Sequence, residues 1–387
     1  MANALTALNP EVWKPVIQDY LNNMLIARDI CNTKCEALLQ AGDQVNFPKV
    51  SDVRVQSYTQ GTNLTADALT ATQSSLTVDQ SKVAMFVLDP VQEKQSLANY
   101  GMELAYQSAF QLRNNIDQHV LNTAINGASS QIAGGTLAAA TLYTLMTDVK
   151  AQLSRNNATD GQVFSVLDPE RIALLEQSFV ANGFNVADTT LKNGFVGSVN
   201  GFRVYTSNNL PYSVAYTQDT IPVAGTTITA YGVTWTWAAN GAAAAPGEIS
   251  IGANNAAAQA NLLLALNGTG TPAAATYIDV SVDERRSYQN GQVAASAFVA
   301  NVTTITAFGK IGASTTSVAG NNAVGTETGK LVFGRMGAPS LAIQMLPELY
   351  IREEPLQLAK NYMTHTLFGD AVFSRDAKRL VRVTMNA

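Results

Sequence analysis

The sequence predicts an α+β chain, and three observations predict it. Residues 10–40 and 92–126 carry apolar side chains at helical spacing, while 41–90 and much of 219–327 alternate apolar with polar residues as half-buried strands do. The stretch 136–218 mixes both patterns, 328–387 returns to strands, and no internal repeat is evident.

The first segment reads as an amphipathic helix over 10–40. Val12, Trp13, Val16, Ile17, Tyr20, Leu21, Met24 and Leu25 recur in pairs every four residues, and Asn9-Pro10 supplies a start signal. Such a helix serves equally as an arm docking on a partner or as an ordinary core helix.

A hairpin follows over 41–90. Val45, Phe47, Val53 and Val55 alternate with polar residues, and beyond a polar tip at 59–74 the residues Leu76, Val78, Ala84, Phe86 and Leu88 fall at even positions. Each strand is expected to run about a dozen residues, or about 40 Å. Yet "GTNLTADALTATQSSLTVDQSKVAMFVLDP" holds little that fills a core. A lone two-stranded hairpin is marginal in water. It must be covered by its own domain or by another copy of the chain.

Residues 92–126 form the longest helical pattern, free of proline, with Leu97, Gly101, Leu104, Ala105, Leu112, Ile116, Val120 and Ala124 on one face. At 1.5 Å per residue this is a rod of about 50 Å. A helix over "TLAAATLYTLMTDVKAQLSRN" comes next. "QVFSVLDPERIALLEQS" reads as a strand running into a helix, with Asp168 as cap and Pro169 in its first turn. "FVGSVNGFRVYTSNNLP" reads as two short strands joined by an Asn200-Gly201 turn.

From about 219 to 327 the composition shifts to Ala, Gly, Thr and Asn. Tyr231, Val233, Trp235 and Trp237 share one strand face, a helix ends at Gly268, and "ATYIDVSVDE" and "QVAASAFVANVTTITAFG" read as strands. With its own aromatic core and the Gly-rich joint "SVAGNNAVGTETG", this stretch reads as a small domain inserted in a host. The host resumes at "KLVFGRMGAPSLAIQ" and closes with strand-like "LVRVTM".

Composition narrows the function. Hydrophobic residues make up 47 % of the 387 and charged residues only 14 %, against about a quarter in average soluble proteins. Small neutral residues fill the deficit, which points to extensive self-association. A net charge of −5 with scattered Lys and Arg gives no electrostatic footprint for sequence-specific nucleic-acid binding. Cys31 and Cys35 give no disulfide framework, and with only His119 and His365 as further soft ligands no metal site is expected. The first residues lack the pattern of a signal peptide, and no apolar run nears the roughly 20 residues of a membrane span. Folding in a reducing cytoplasm is expected, where glycosylation matches such as Asn63 and Asn267 carry no meaning.

Catalytic signatures are missing. There is no phosphate loop, dinucleotide fingerprint, zinc-protease helix or nucleophile elbow. His119 and His365 each lack a visible nucleophile or carboxylate partner in sequence, so both read as structural or solvated. "DERRS" at 283–287 and "IREEP" at 351–355 read as surface ion pairs, and Trp235 with Trp237 as core of the insert rather than a sugar platform. The expectation is a chain with no catalytic, cofactor-binding or metal residues, and not an enzyme.

The order of parts resembles the major capsid proteins of tailed bacteriophages, the Hong-Kong-97-type fold. The stretches that look like that family are "ALLQAGDQVNFPKV" entering the hairpin, "LTATQSSLTVDQSKVAMFVLDPVQEKQS" leaving it, and "TLFGDAVFSRDAKRLVRVTM" near the end. The resemblance covers roughly 1–218 and 328–387. It implies an N-terminal arm (1–40), an E-loop lying over a neighbouring subunit (41–90), a peripheral domain with the spine helix (91–135 and 346–387) and an axial domain (136–218 and 328–345), with 219–327 as insertion domain. The segment "VTWTWAANGAAAAPGEISIGANNAAAQANLLLALNGTG" is similar to a small module of phage structural proteins and is expected to project outward.

The function so implied is self-assembly into hexamers and pentamers of an icosahedral shell around double-stranded DNA, in the bacterial host's cytoplasm. Scaffolding, portal and cement proteins would be its partners; the scaffold is expected to be a separate protein, since the arm begins near Met1. Some members crosslink through a Lys–Asn bond. Lys49 and Lys82 lie near the E-loop without a motif marking either as reactive, so noncovalent assembly is expected. The alternatives are an encapsulin-like nanocompartment shell and, from the aromatic Thr/Asn-rich insert, a carbohydrate-binding adhesin.

Overall fold

A computed structural model describes residues 26–39, 42–51, 53–88, 100–136, 138–181, 198–316, 322–353 and 360–386. Most of the expected N-terminal helix lies outside them. In chain order the first elements are α1 (Ile26–Ile30), β1 (Gln44–Val50), β2 (Ala71–Thr77), β3 (Gln80–Leu88), α2 (Tyr100–Gly127) and β4 (Ser130–Thr136). Then come α3 (Ala139–Arg155), β5 (Val163–Leu167), α4 (Pro169–Ala181), β6 (Ser198–Val199), β7 (Phe202–Thr206) and β8 (Pro211–Gln218). The middle of the chain holds β9 (Thr227–Ala230), β10 (Val233–Ala238), β11 (Glu248–Ser250), α5 (Asn255–Asn267), α6 (Val282–Asn290), β12 (Ala294–Ala295) and β13 (Val302–Phe308). It closes with β14 (Ser314–Thr315), β15 (Asn322–Val324), β16 (Thr328–Arg335), β17 (Pro339–Glu353), β18 (Lys360–Val372) and β19 (Leu380–Asn386).

These elements divide into two compact units. The smaller contains residues up to 116 together with 336–379; the larger contains 117–335 and 380–387.

In the smaller unit β1 and β2 form an antiparallel ladder from Gln44↔Thr77 to Val50↔Ala71, and a second sheet runs β17-β18-β3. The helix expected to reach residue 40 stops at Ile30. Asn32 adds itself to β17 instead: its N–H donates to the Pro339 carbonyl at 2.7 Å, and Leu341 N–H donates to the Asn32 carbonyl at 3.1 Å. The Asn32 side chain accepts from Lys34 N–H, a local bond that competes with helix.

The second hairpin strand, expected to run unbroken through 76–88, is two strands. Val78 N–H donates to the Asp43 carbonyl, closing the ladder, and from Gln80 the chain changes partner to β18. The even-position face holds for Ala84 and Phe86, which turn inward; Phe86 stacks on Tyr362 with centroids 5.1 Å apart and planes 6° from parallel.

In the larger unit ten strands form one sheet. Its path is β12-β13-β8-β16-β5-β7-β6, with β15 on β8 and with β19 joining β16 to β4. Every residue of β5 is buried, which explains its unbroken apolar character, and it runs parallel to β7 and antiparallel to β16. The β6–β7 hairpin turns on Asn200-Gly201 with φ of 50° and 86°, the left-handed pair that a two-residue turn requires.

A separate four-stranded sheet, β11-β10-β9-β14, carries the aromatic core. Val233, Trp235 and Trp237 are buried on one face of β10, whereas Tyr231 sits in the preceding turn at φ 52° rather than in the strand. Helix α5 ends at Gly268 as expected. The strand expected over "ATYIDVSVDE" is absent: Tyr277 makes only a bridge to Ile249, and α6 begins after Ser281. Ser281 and Glu284 form a reciprocal capping box, the Ser-x-x-Glu helix signal that outweighs the alternation there.

Strand β13 pairs with β8 along its whole length, from Val302↔Thr217 to Phe308↔Pro211, so this part of 219–327 is built into the large sheet. The last strand likewise belongs to the larger unit. Leu380, Val381, Val383 and Met385 are buried there.

Candidate assembly surfaces

The foot of the hairpin is fixed by a small core. Cys35, Leu39, Leu76, Val78 and Ala342 are buried together, with Val45, Phe47, Leu367, Ala371 and Phe373 packed against them. Phe47 meets Phe373 edge-on at 4.9 Å. Gln344 holds the chain where it approaches β1, donating to the carbonyls of Leu39 (3.0 Å) and Gly42 (2.9 Å). β18 passes close to the end of β2 at Gly369, where a Cβ would run into the Thr77 carbonyl. Burial raises the Cys35 thiol pKa above its ordinary value, which makes this cysteine a small apolar filler and a poor nucleophile.

Above this foot the hairpin leaves its ladder. Residues 53–70 form no regular strand, and the two legs are tied by side chains instead. Arg54 N–H donates to Asp67 Oδ2 at 2.9 Å and its guanidinium lies 3.1 Å from Oδ1. Gln56 donates to the Thr65 carbonyl at 2.8 Å, and Ser51 and Thr70 bond each other through backbone and hydroxyl. The result is a two-legged arm extending about 30 Å past the ladder at 3.3 Å per residue.

No core accompanies it. Val53, Val55, Tyr58, Leu64 and Leu69 are all more than half exposed, Val55 at 97 %. Exposed apolar side chains are ordinary singly, but a run of them on one unsupported arm marks a contact surface.

A second open surface is the outer face of the β17-β18-β3 sheet. Val83, Met85 and Val87 are 57, 61 and 54 % exposed. Their register partners on β18 are His365, Met363 and Asn361, and Tyr350 of β17, opposite Met363, is 43 % exposed. Beside the foot of the arm lies a cavity of about 660 Å³ with Cys35, Phe47 and Phe373 in its lining and Lys34, Lys49, Arg375 and Lys378 around it. Its carboxylate, Asp376, is bonded to Arg379 at 2.6 Å. That mouth is locally basic, in a chain whose net charge is −5.

The residues weighed for chemistry are scattered. His119 lies half-buried in α2. His365 has a partner that sequence spacing did not reveal: its Nε2 lies 2.8 Å from the Ser81 hydroxyl, which β-pairing brings across 284 positions. Both side chains stand on the open sheet face, and the contact ties β3 to β18. Lys49 is exposed on β1, and Lys82 is half-buried opposite Thr366.

Asp168 caps no helix with its side chain. Its Oδ2 accepts from Tyr212 Oη (2.9 Å) and from Arg171 (3.2 Å), while Oδ1 has no hydrogen-bond partner. Arg171 also donates to Glu170 and to the Asn386 carbonyl, and Lys310 donates to Glu170 at 2.6 Å. Lys310, through that hydrogen bond, holds the Glu170 carboxyl below its ordinary pKa. Burial, then the Asp168 charge, drives the Tyr212 phenol far above its ordinary pKa, so it keeps its proton and remains a hydrogen-bond donor to Asp168.

"DERRS" contributes more than surface charge. Arg285 pairs with Asp279, donates to the Ala265 carbonyl at 2.9 Å, and lies over the rings of Trp235 (5.5 Å) and Tyr288 (5.7 Å). Residues 354–355 of "IREEP" lie outside the described residues. Among the described residues no cluster of three potential metal ligands occurs, and no helix is long and apolar enough to cross a membrane.

No family model matches the chain, and no curated protein matches it by sequence. Its likeness is three-dimensional. A structure from Mycobacterium phage Che8 aligns with a TM-score of 0.56 at 13 % identity, over 93 % of this chain and 91 % of that one. The capsid structure of Cyanophage P-SCSP1u aligns with a TM-score of 0.52 at 14 % identity, over 93 % and 88 %. This chain has a phage-capsid fold. Nearly the full length of each chain takes part in that shared fold. Within it, the arm and the outer face of the three-stranded sheet are apolar surfaces that the smaller unit's own core leaves uncovered.

Proposed function

We propose that this chain is a phage major capsid protein, the subunit of an icosahedral shell of hexamers and pentamers around double-stranded DNA. The observation that carries this reading is the arm at 53–70. It is long, held in shape by its own polar ties, and lined with apolar side chains that nothing among the described residues buries. A neighbouring subunit's sheet face, with Val83, Met85 and Val87, offers the missing cover.

On this reading residues 1–40 are the N-terminal arm, 41–90 the E-loop, the helix after 91 the spine of a peripheral domain, and 136–218 with 328–345 the axial domain. Residues 219–327 form an outward-facing elaboration of the axial part. The work of the protein is geometric. One fold makes many weak contacts at non-identical positions, and an arm tied by side chains rather than by a ladder bends to fit each. Scaffolding, portal and cement proteins are the partners this role calls for, and neither a cofactor nor catalysis is part of it.

The test is light scattering with negative-stain microscopy on the purified recombinant chain, alone and co-expressed with a candidate scaffolding protein. Capsomers, tubes or closed shells are the expected result. A chain that stays monomeric in both settings would sink the proposal.

A further inference from the structure

Asn-Gly pairs lose ammonia spontaneously when the asparagine side chain is free to meet the next backbone nitrogen, and this chain has seven of them. Two, at 182 and 193, lie outside the described residues. The structure restrains four of the other five. Asn126 sits inside α2, with its amide donating to Asn122 Oδ1. Asn200 is held at both ends, accepting from Lys150 and donating to Thr147. Asn267 is clamped in a two-way bond with the backbone of Ala295, at 3.0 and 2.7 Å. Asn290 ends α6, and the Gly291 N–H that would have to react is spent on the Ser287 carbonyl inside the helical turn.

Asn240 is different. It is exposed at the tip of a β-turn, where Ala242 N–H donates to the Ala239 carbonyl at 3.0 Å and Gly241 takes φ 71°. No hydrogen bond restrains its carboxamide. The Gly241 N–H is bonded too, at 3.0 Å, but to the rotatable Ser250 hydroxyl rather than to a carbonyl fixed in a helical turn.

We propose that Asn240 is the first of the five to deamidate in the folded protein. The Gly241 nitrogen attacks Asn240 Cγ, a C–N bond closes a five-membered imide, and ammonia leaves. Water then opens either ring C–N bond, giving aspartate or the backbone-lengthened isoaspartate. Each event replaces a neutral amide by a carboxylate, so every aged copy carries one more negative charge on the exposed rim of the four-stranded sheet. No cofactor or second protein is needed.

The experiment is to incubate the folded full-length chain at mildly alkaline pH, digest aliquots, and quantify aspartate and isoaspartate at each pair by mass spectrometry. Asn240 is expected to convert ahead of 126, 200, 267 and 290, and that lead should vanish when the incubation is repeated in urea. N240Q should remove the corresponding share of the acidic shift seen on isoelectric focusing. Conversion at any of the four restrained pairs as fast as at Asn240 in the folded chain would overturn the proposal, as would an acidic shift unchanged in N240Q.

Discussion

Tyr288 shows how much a single buried hydroxyl organises. It accepts from Trp235 Nε1 at 3.1 Å and donates to the Ala230 carbonyl at 2.9 Å, with Arg285 over its ring. Tyr288→Phe keeps the ring and deletes both bonds, leaving a buried indole N–H and a buried carbonyl unpaired. The expected loss is about 1–3 kcal/mol, measured by urea denaturation followed through tryptophan fluorescence. The same residue sets a pH signature. Burial pushes its phenol up to about 12 from 10.0, so the folded chain holds this proton where the unfolded chain has released it. That contribution to stability is complete below pH 10.0 and is lost as pH rises through about 12. Tyr288→Phe should therefore lose stability less steeply over that window than the parent, and parallel pH profiles would refute the assignment. The sequence alone placed Trp235 and Trp237 on a buried face, but it offered no sign that Tyr288 and Arg285, about fifty positions on, complete their surroundings. Long-range partners leave no periodic trace.

At the scale of elements, the distinction that matters is between the foot of the arm and its shaft. Leu76 is buried in the unit's own core with Phe47 packed against it, whereas Val55 and Tyr58 stay 97 and 65 % exposed. Replacing both Val55 and Tyr58 by Asp should then leave the subunit's melting curve within about 0.5 kcal/mol of the parent, the usual range for surface changes. It should abolish particles in light scattering, because two carboxylates would have to be desolvated in the contact. Particles of normal yield would remove the arm from the assembly contact. The long helix, α3, α4, α5 and the Asn200-Gly201 turn were legible because each rests on a local rule of period, cap or turn. The break at Val78–Asp79 and the early end of α1 were not, because a change of hydrogen-bond partner decides both. At "ATYIDVSVDE" two local signals competed, and the capping box prevailed over alternation.

For the whole molecule, the telling strand is the last. β19 lies between β16 and β4, antiparallel to one and parallel to the other, and Arg382 reaches Gln131 across 251 positions of sequence. The ten-stranded sheet therefore cannot be completed until the end of the chain is present, and non-local pairing of this kind makes folding slow. Shortening the chain after Arg379 would remove four buried apolar side chains and leave the facing edges of β16 and β4 unpaired. Unpaired apolar edges invite pairing with other chains. The shortened protein is expected to be insoluble on expression or, if recovered, to have lost hydrogen-exchange protection throughout β16 and β4. The smaller unit's strands are complete by Val372, so protection in β17 and β18 should survive. Retained protection across β16 and β4 would mean that the larger unit closes without its last strand.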